Sequence, residues 1–250
     1  MPLNSSPKIL GLITDQTFEN FEAFREDMGL CDLFELRLDL ISGNEEEVEE
    51  KLGRLRTEFS AISWLVTDRL VRDGGTRPNE DSEERLERLA YWAQDPQTSW
   101  VDLELEEPEL VKAFAKVKKE VELDVSLLLS HHNFQNAYNQ EELLQKCSEA
   151  AKLPVDGFKM ALTFQSAEQE KELYTFLKSQ PPLPIVAAFS MGELGKRSRI
   201  FAPLCGAPFT YGYFGEVPSA PGQWSVKEMK QRLMQMQQNP EFLANLSPEN

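Results

Sequence analysis

The sequence predicts an α/β chain of the (β/α)8 TIM-barrel class, on three observations. Short β-rich runs alternate with longer charged segments of helical period, the pattern of a parallel sheet with crossover helices. Eight such runs fall within 250 residues, the size of one barrel of this type. Polar residues collect near the ends of many different runs rather than at one switch point, which favours a barrel over the alternative, an open doubly wound sheet.

Taken in order, the first strand is read at Lys8 to Thr14. The second, Leu33 to Leu40, alternates leucines and Phe34 with Glu35, Arg37 and Asp39, so period-2 geometry predicts three charges on one face. A helix at Glu45 to Glu58 carries apolar residues at three- and four-residue spacing. Strand three is Ala61 to Arg69, and a helix follows at Asp81 to Trp92. Strand four, Trp100 to Leu105, contains Asp102 and Glu104 and leads to a helix at Pro108 to Glu120. Strand five, Val125 to His131, runs into the chain's 2 histidines, His131 and His132. A helix at Glu141 to Lys152 precedes strand six, Gly157 to Thr163, which Lys159 interrupts. A helix at Ala167 to Lys178, strand seven at Pro184 to Ser190, a glycine-containing turn into a helix at Ser198 and Arg199, and strand eight at Phe209 to Tyr213 complete the alternation. After the turn Ser219-Ala220-Pro221-Gly222-Gln223, Val226 to Gln237 is the last helix. Residues 1–238 thus read as one barrel, and 239–250, rich in Pro, Asn, Ser and acid, as a polar tail or linker.

Lys plus Arg total 26 against 42 Asp plus Glu, a net charge of -16, which argues against nucleic acid or an anionic membrane as partner. An anionic ligand therefore requires a local island of Arg and Lys. The 3 cysteines, Cys31, Cys147 and Cys205, form no C-x-x-C pair, so neither a disulfide framework nor a metal knuckle is indicated. No signal-peptide pattern or membrane-length apolar run is seen, and a cytoplasmic location is expected. The segment Gly192 to Arg197 lacks the glycine spacing and the hydroxyl of a phosphate loop, so no nucleotide site is read there.

The chemistry is expected at Lys159 and a histidine. A lysine between Phe158 and Met160 is pushed towards its neutral, nucleophilic form by desolvation, and an imidazole moves protons near neutrality. Together they suggest imine chemistry on a ketone. Strand alternation lets only one of the adjacent histidines face the lumen. Arg199 is suited to a bidentate clamp on a carboxylate.

These pieces in order, Glu35-Leu36-Arg37-Leu38-Asp39, Thr67-Asp68-Arg69 with Gly74-Gly75, Asp102-Leu103-Glu104-Leu105, Ser130-His131-His132-Asn133-Phe134, the Lys159 strand, Ser190 to Arg199, and Ser219 to Gln223, resemble the type I 3-dehydroquinate dehydratases over nearly the whole chain. The resemblance implies a usually homodimeric barrel that converts 3-dehydroquinate to 3-dehydroshikimate in the shikimate pathway, with no metal and no organic cofactor. Lys159 matches the imine-forming lysine, His132 the general acid/base, Arg199 the carboxylate-binding arginine, Ser219 and Gln223 the closing loop, and Glu35, Arg37 and Arg69 polar residues on the substrate's hydroxyl side. In some relatives a shikimate dehydrogenase domain follows. Three departures stand out. The glutamate that orients the histidine falls on Asp73, whose carboxylate reaches about 1.5 Å less far. Asn133 replaces a common aspartate, removing a negative charge beside the imidazole. The N-terminal hairpin that plugs the barrel floor in several relatives has no counterpart before the first strand. A phosphate-binding class I aldolase, and a barrel that only binds a carboxylate ligand or partner, are the rival readings.

Overall fold

The structure, a computed structural model, describes residues 7–78, 82–216, 218 and 222–238. Its strands are β1 (Lys8–Ile13), β2 (Leu33–Arg37), β3 (Ser63–Thr67), β4 (Thr98–Glu104), β5 (Ser126–His132), β6 (Gly157–Thr163), β7 (Ile185–Met191), β8 (Phe209–Tyr213) and the short β9 (Trp224–Ser225). All pair in parallel, in the order β7-β6-β5-β4-β3-β2-β1-β8-β9. The sheet curls into a (β/α)8 barrel whose seam lies between β7 and β8, where the Phe189 and Tyr211 rings meet at 5.7 Å.

The outer layer comprises α1 (Asp15–Glu19), α2 (Phe21–Met28), α3 (Glu45–Glu58), α4 (Ser82–Trp92), α5 (Pro108–Glu120), α6 (Gln140–Ala150), α7 (Glu168–Lys178), α8 (Ser198–Leu204) and α9 (Val226–Gln238). Their starts follow local chemistry. Asn44 accepts the Glu47 N–H at 3.0 Å while Glu47 accepts the Asn44 N–H at 2.8 Å, and Asn139 with Glu142 repeats this capping box at α6. Pro108 opens α5, where its missing N–H has no cost. None of the helices of the described residues is long and apolar enough to cross a membrane.

Alternation along each strand divides the apolar residues into two cores. Phe34, Trp64, Leu103, Leu129, Phe158 and Met160 face outward and pack beneath the helices. Leu10, Leu33, Leu65, Leu128 and Phe209 face inward and fill the lower lumen, with Trp100 set edge-on to Phe209 at 5.6 Å. The apolar floor beneath the site is thus made by strand side chains themselves.

The largest departures from expectation are in the second strand and in the connection that precedes it. The second strand ends at Arg37 rather than Leu40, because Leu38–Leu40 turns into a 3-10 helix. Asp39 therefore does not join the lumenal face; it accepts from Arg37 Nε at 2.8 Å and Nη2 at 2.7 Å and from the Thr76 N–H at 3.1 Å. The connection from β1 to β2 holds α1 and α2, which show no clear period in sequence because Asn20 splits them into pieces of 5 and 8 residues. Residues 1–6, the expected tail 239–250 and Ser219 lie outside the described residues.

Candidate active site

A cavity of about 530 Å³ opens at the carboxyl ends of the strands, the face on which barrels of this class carry their chemistry. Glu35, Arg37, Arg69, Asp73, His132, Lys159, Arg199 and Gln223 all line it. The fold thus gathers every site residue expected from the sequence within the described residues. Of the adjacent histidines, His132 points into the cavity. His131 points out, with Nδ1 at 2.5 Å from Glu106 Oε1 and Nε2 at 3.0 Å from the Tyr138 hydroxyl.

Lys159 is not held by apolar neighbours. Phe158 and Met160 belong to the outer core, because consecutive strand residues face opposite ways. The amine instead donates to Asp102 Oδ2 at 2.8 Å, lies 3.7 Å from Glu35 Oε1 and sits 5.2 Å from the centre of the Tyr211 ring. Asp102 also accepts from Arg69 Nη2 at 2.8 Å and from the Ser130 hydroxyl at 2.6 Å. Burial alone would raise the Asp102 pKa, but Arg69 and Lys159 beside it hold it well below the carboxylate range. Glu35 is fixed by the Thr67 hydroxyl at 2.8 Å.

Arg69 bridges onward to Glu104 Oε1 at 2.9 Å, and Arg85 of α4 takes the other oxygen, Oε2, at 2.5 Å. Arg85 also binds Glu107, which pairs with Arg72 Nη2 at 2.9 Å, and Arg72 Nε reaches Asp73 Oδ2 at 3.1 Å. An ion-paired chain therefore runs Lys159, Asp102, Arg69, Glu104, Arg85, Glu107, Arg72, Asp73.

His132 has a pKa well below 6.5, because burial and the positive charges of Arg69 and Lys159 disfavour the imidazolium. The Asn133 side-chain oxygen accepts the Gln135 and Asn136 N–H groups at 3.0 Å and so organises its own turn. Asp73 does not orient the imidazole here. Its carboxylate is taken by Arg72, and His132 Nδ1 is buried without a hydrogen-bond partner.

The expected basic island is mostly neutralised from within, since Arg37, Arg69 and Lys159 each hold a carboxylate. Arg199 differs. It is 2 % exposed, lies 4.1 Å over the Phe189 ring, and its Nε lacks a hydrogen-bond partner among the described residues. Burial without an anionic neighbour pushes its pKa down to about 10.

Several contributors were not assigned roles from the sequence. Ser130 sits two residues before His132 on the same strand face, and Asp102 and Glu104 alternate inward along β4, so both signals were present. Arg85 had a subtler one: it shares the buried stripe of α4 with Leu89 and Trp92, a charge where an apolar residue belongs. Among the described residues no cluster of three or more His, Cys, Asp or Glu is arranged to hold a metal ion.

A parallel barrel with a lysine, a neutral histidine and an unpaired arginine converging at its carboxyl mouth has the architecture of a barrel enzyme acting on a small anionic carbonyl compound. The chain belongs to the type I 3-dehydroquinase family, whose sequence profile matches residues 14–240. It is 31% identical over 209 residues to a 3-dehydroquinate dehydratase of Dehalococcoides mccartyi, covering 83% of this chain and 87% of that protein. It is 34% identical over 206 residues to the pentafunctional AROM polypeptide of Komagataella phaffii, covering 80% of this chain but only 13% of that much longer protein. The crystal structure of 3-dehydroquinate dehydratase from Geobacillus kaustophilus superimposes with a TM-score of 0.82 at 24% identity, covering 94% of this chain and 92% of that one.

Proposed function

We propose that this chain is a 3-dehydroquinate dehydratase that forms 3-dehydroshikimate and water by syn elimination through an imine on Lys159. The observation that carries the reading is the meeting of Lys159, His132 and an unpaired Arg199 in one cavity.

Arg199 binds the substrate carboxylate, which supplies the anion its buried guanidinium lacks. Lys159 leaves Asp102, gives a proton to water and attacks the C3 ketone; a proton returned from water to the carbinolamine hydroxyl lets it leave as water and gives a protonated imine. That cation occupies the place of the lysine ammonium, where Asp102 and Glu35 already supply compensating charge. His132, neutral near pH 7, removes the C2 proton and the electron pair moves into the imine to give an enamine. The enamine expels the C1 hydroxyl, which takes the proton from the imidazolium and leaves as water; a second water then hydrolyses the conjugated imine and frees Lys159. The phosphate-using aldolase reading finds no support: among the described residues lining the cavity, the cation without an anionic partner is Arg199, which suits a carboxylate. The same proposal includes a role in chorismate and aromatic amino acid biosynthesis in the cytoplasm, a homodimer, and in a longer chain a following shikimate dehydrogenase.

The test is intact-mass analysis after incubation with 3-dehydroquinate and borohydride, with peptide mapping and an absorbance assay for the conjugated product. An adduct on Lys159 together with new absorbance is the expected result. Neither adduct nor product from folded protein would overturn the reading in favour of a binding barrel.

A further inference from the structure

Something other than a carboxylate must hold the His132 ring, because its Nδ1 is buried without a partner while Asp73, in the same cavity, is turned to Arg72. Arg72 is itself fixed at its far side by Glu107 at 2.9 Å, and Glu107 is held by Arg85, so the tether ends on a buried group. The imidazole instead lies against Phe134, with ring centres 6.1 Å apart and planes only 13° from parallel. That separation and tilt fit offset stacking. Phe134 is 48% exposed, so burial of its own surface does not explain its position. Two features build a seat for it. Asn133 fixes the backbone turn on either side by accepting the Gln135 and Asn136 N–H groups. Gly74, at φ +81, leaves the space that Phe134 fills, since a Cβ there would lie 2.7 Å from Phe134 Cζ.

We propose that Phe134 is the positioning residue for His132 in this chain, holding the imidazole by its face, and that Arg72 tethers Asp73 away from the ring. The inference rests on the role given to His132 in the dehydration reading. Arg69, Asp73 and Gly74 approach from the segment after β3, Asp102 from β4, His131 from β5 itself and Lys159 from β6. Of these only Asp73 is released by cutting the Arg72 tether.

The test combines NMR titration of His132 with steady-state kinetics on five variants. Asp73→Asn is expected to leave the His132 titration midpoint in place. Arg72→Met frees the Asp73 carboxylate, and the midpoint rises by about one unit, as an opposite charge brought near an imidazole requires; adding Asp73→Asn to Arg72→Met abolishes the rise. Phe134→Ala lowers kcat by about tenfold to a hundredfold, in line with a small misplacement of a catalytic group, with KM changed much less and borohydride trapping on Lys159 retained. Phe134→Tyr keeps the ring face and restores most of kcat. A midpoint that falls by a unit or more in Asp73→Asn would overturn the tether, and unchanged kcat in Phe134→Ala would overturn the positioning role. The titrations need no turnover, so they decide the tether even if the dehydratase reading fails.

Discussion

Arg199 shows at the scale of one residue how function is set against stability. A buried guanidinium without an anion is a desolvated charge in search of a partner. Arg199→Met should therefore raise the stability of the ligand-free protein, by about 1 to 3 kcal/mol in urea unfolding. The same variant should raise KM by roughly tenfold to a hundredfold, the worth of a hydrogen-bonded charge pair with the substrate carboxylate. A variant that loses both stability and binding would show that Arg199 is anchored by contacts other than those described. His132→Ala should cut kcat by about 10²–10⁴-fold while the Lys159 adduct still forms, because the first step needs only the amine. The His132 pKa lies well below 6.5, so the neutral base persists as pH falls past that value. The acid limb of kcat/KM should accordingly lie below pH 6.5, as read from a rate profile across pH 4.5 to 8.

Between residue and element, spacing conveyed the facing of side chains but not their partners. Alternation placed Glu35 in the lumen, because a strand has only two faces; the same rule sets Phe158 and Met160 behind Lys159, which overturns their expected part in desolvating the amine. It failed at Asp39, where the backbone leaves the strand and a local Arg37 pairing replaces the lumenal position. The helix starts are read from apolar spacing alone; the structure adds the capping boxes Asn44-x-x-Glu47 and Asn139-x-x-Glu142 that begin α3 and α6. Asn139→Ala should cost about 1 kcal/mol in denaturant unfolding with no change in kcat, since α6 lies outside the cavity. Activity falling along with stability would mean that α6 also steers the Phe134 turn that precedes it. The two short helices between β1 and β2 stayed hidden because pieces of 5 and 8 residues are too short to reveal a period.

Over the whole molecule, the charges form one connected system rather than a basic patch. The chain from Lys159 to Asp73 alternates sign at every step, and much of it is buried, so removing one member strands its neighbours. Arg85→Met, far from any substrate contact, should destabilise the fold by about 3 to 5 kcal/mol, measured by urea unfolding. Acid should act in two stages. His132 has a lowered pKa in the folded state, so its contribution is complete above about pH 6.5 and is lost as pH falls from there towards its folded pKa. Asp102 is also lowered, so its contribution is complete above about pH 4 and is lost below it. Unfolding free energy measured from pH 7.5 to 3 should decline from pH 6.5 downward and more steeply below 4. In His132→Phe the first stage should vanish.

The sequence by itself determined the alternation of strands and helices, the barrel they close, and the set of residues that meet at its mouth. The alternation follows from local periodicity, and the residues at the mouth from the order of motifs that resembles the type I 3-dehydroquinate dehydratases. Only the tertiary structure decided how the charges pair. Lys159 faces Asp102 across 57 residues, Arg69 reaches Ser130 across 61, and Asp73 turns to Arg72 instead of His132. Such choices depend on strand stagger and side-chain reach across the lumen, distances of a few ångströms that no spacing along the chain encodes.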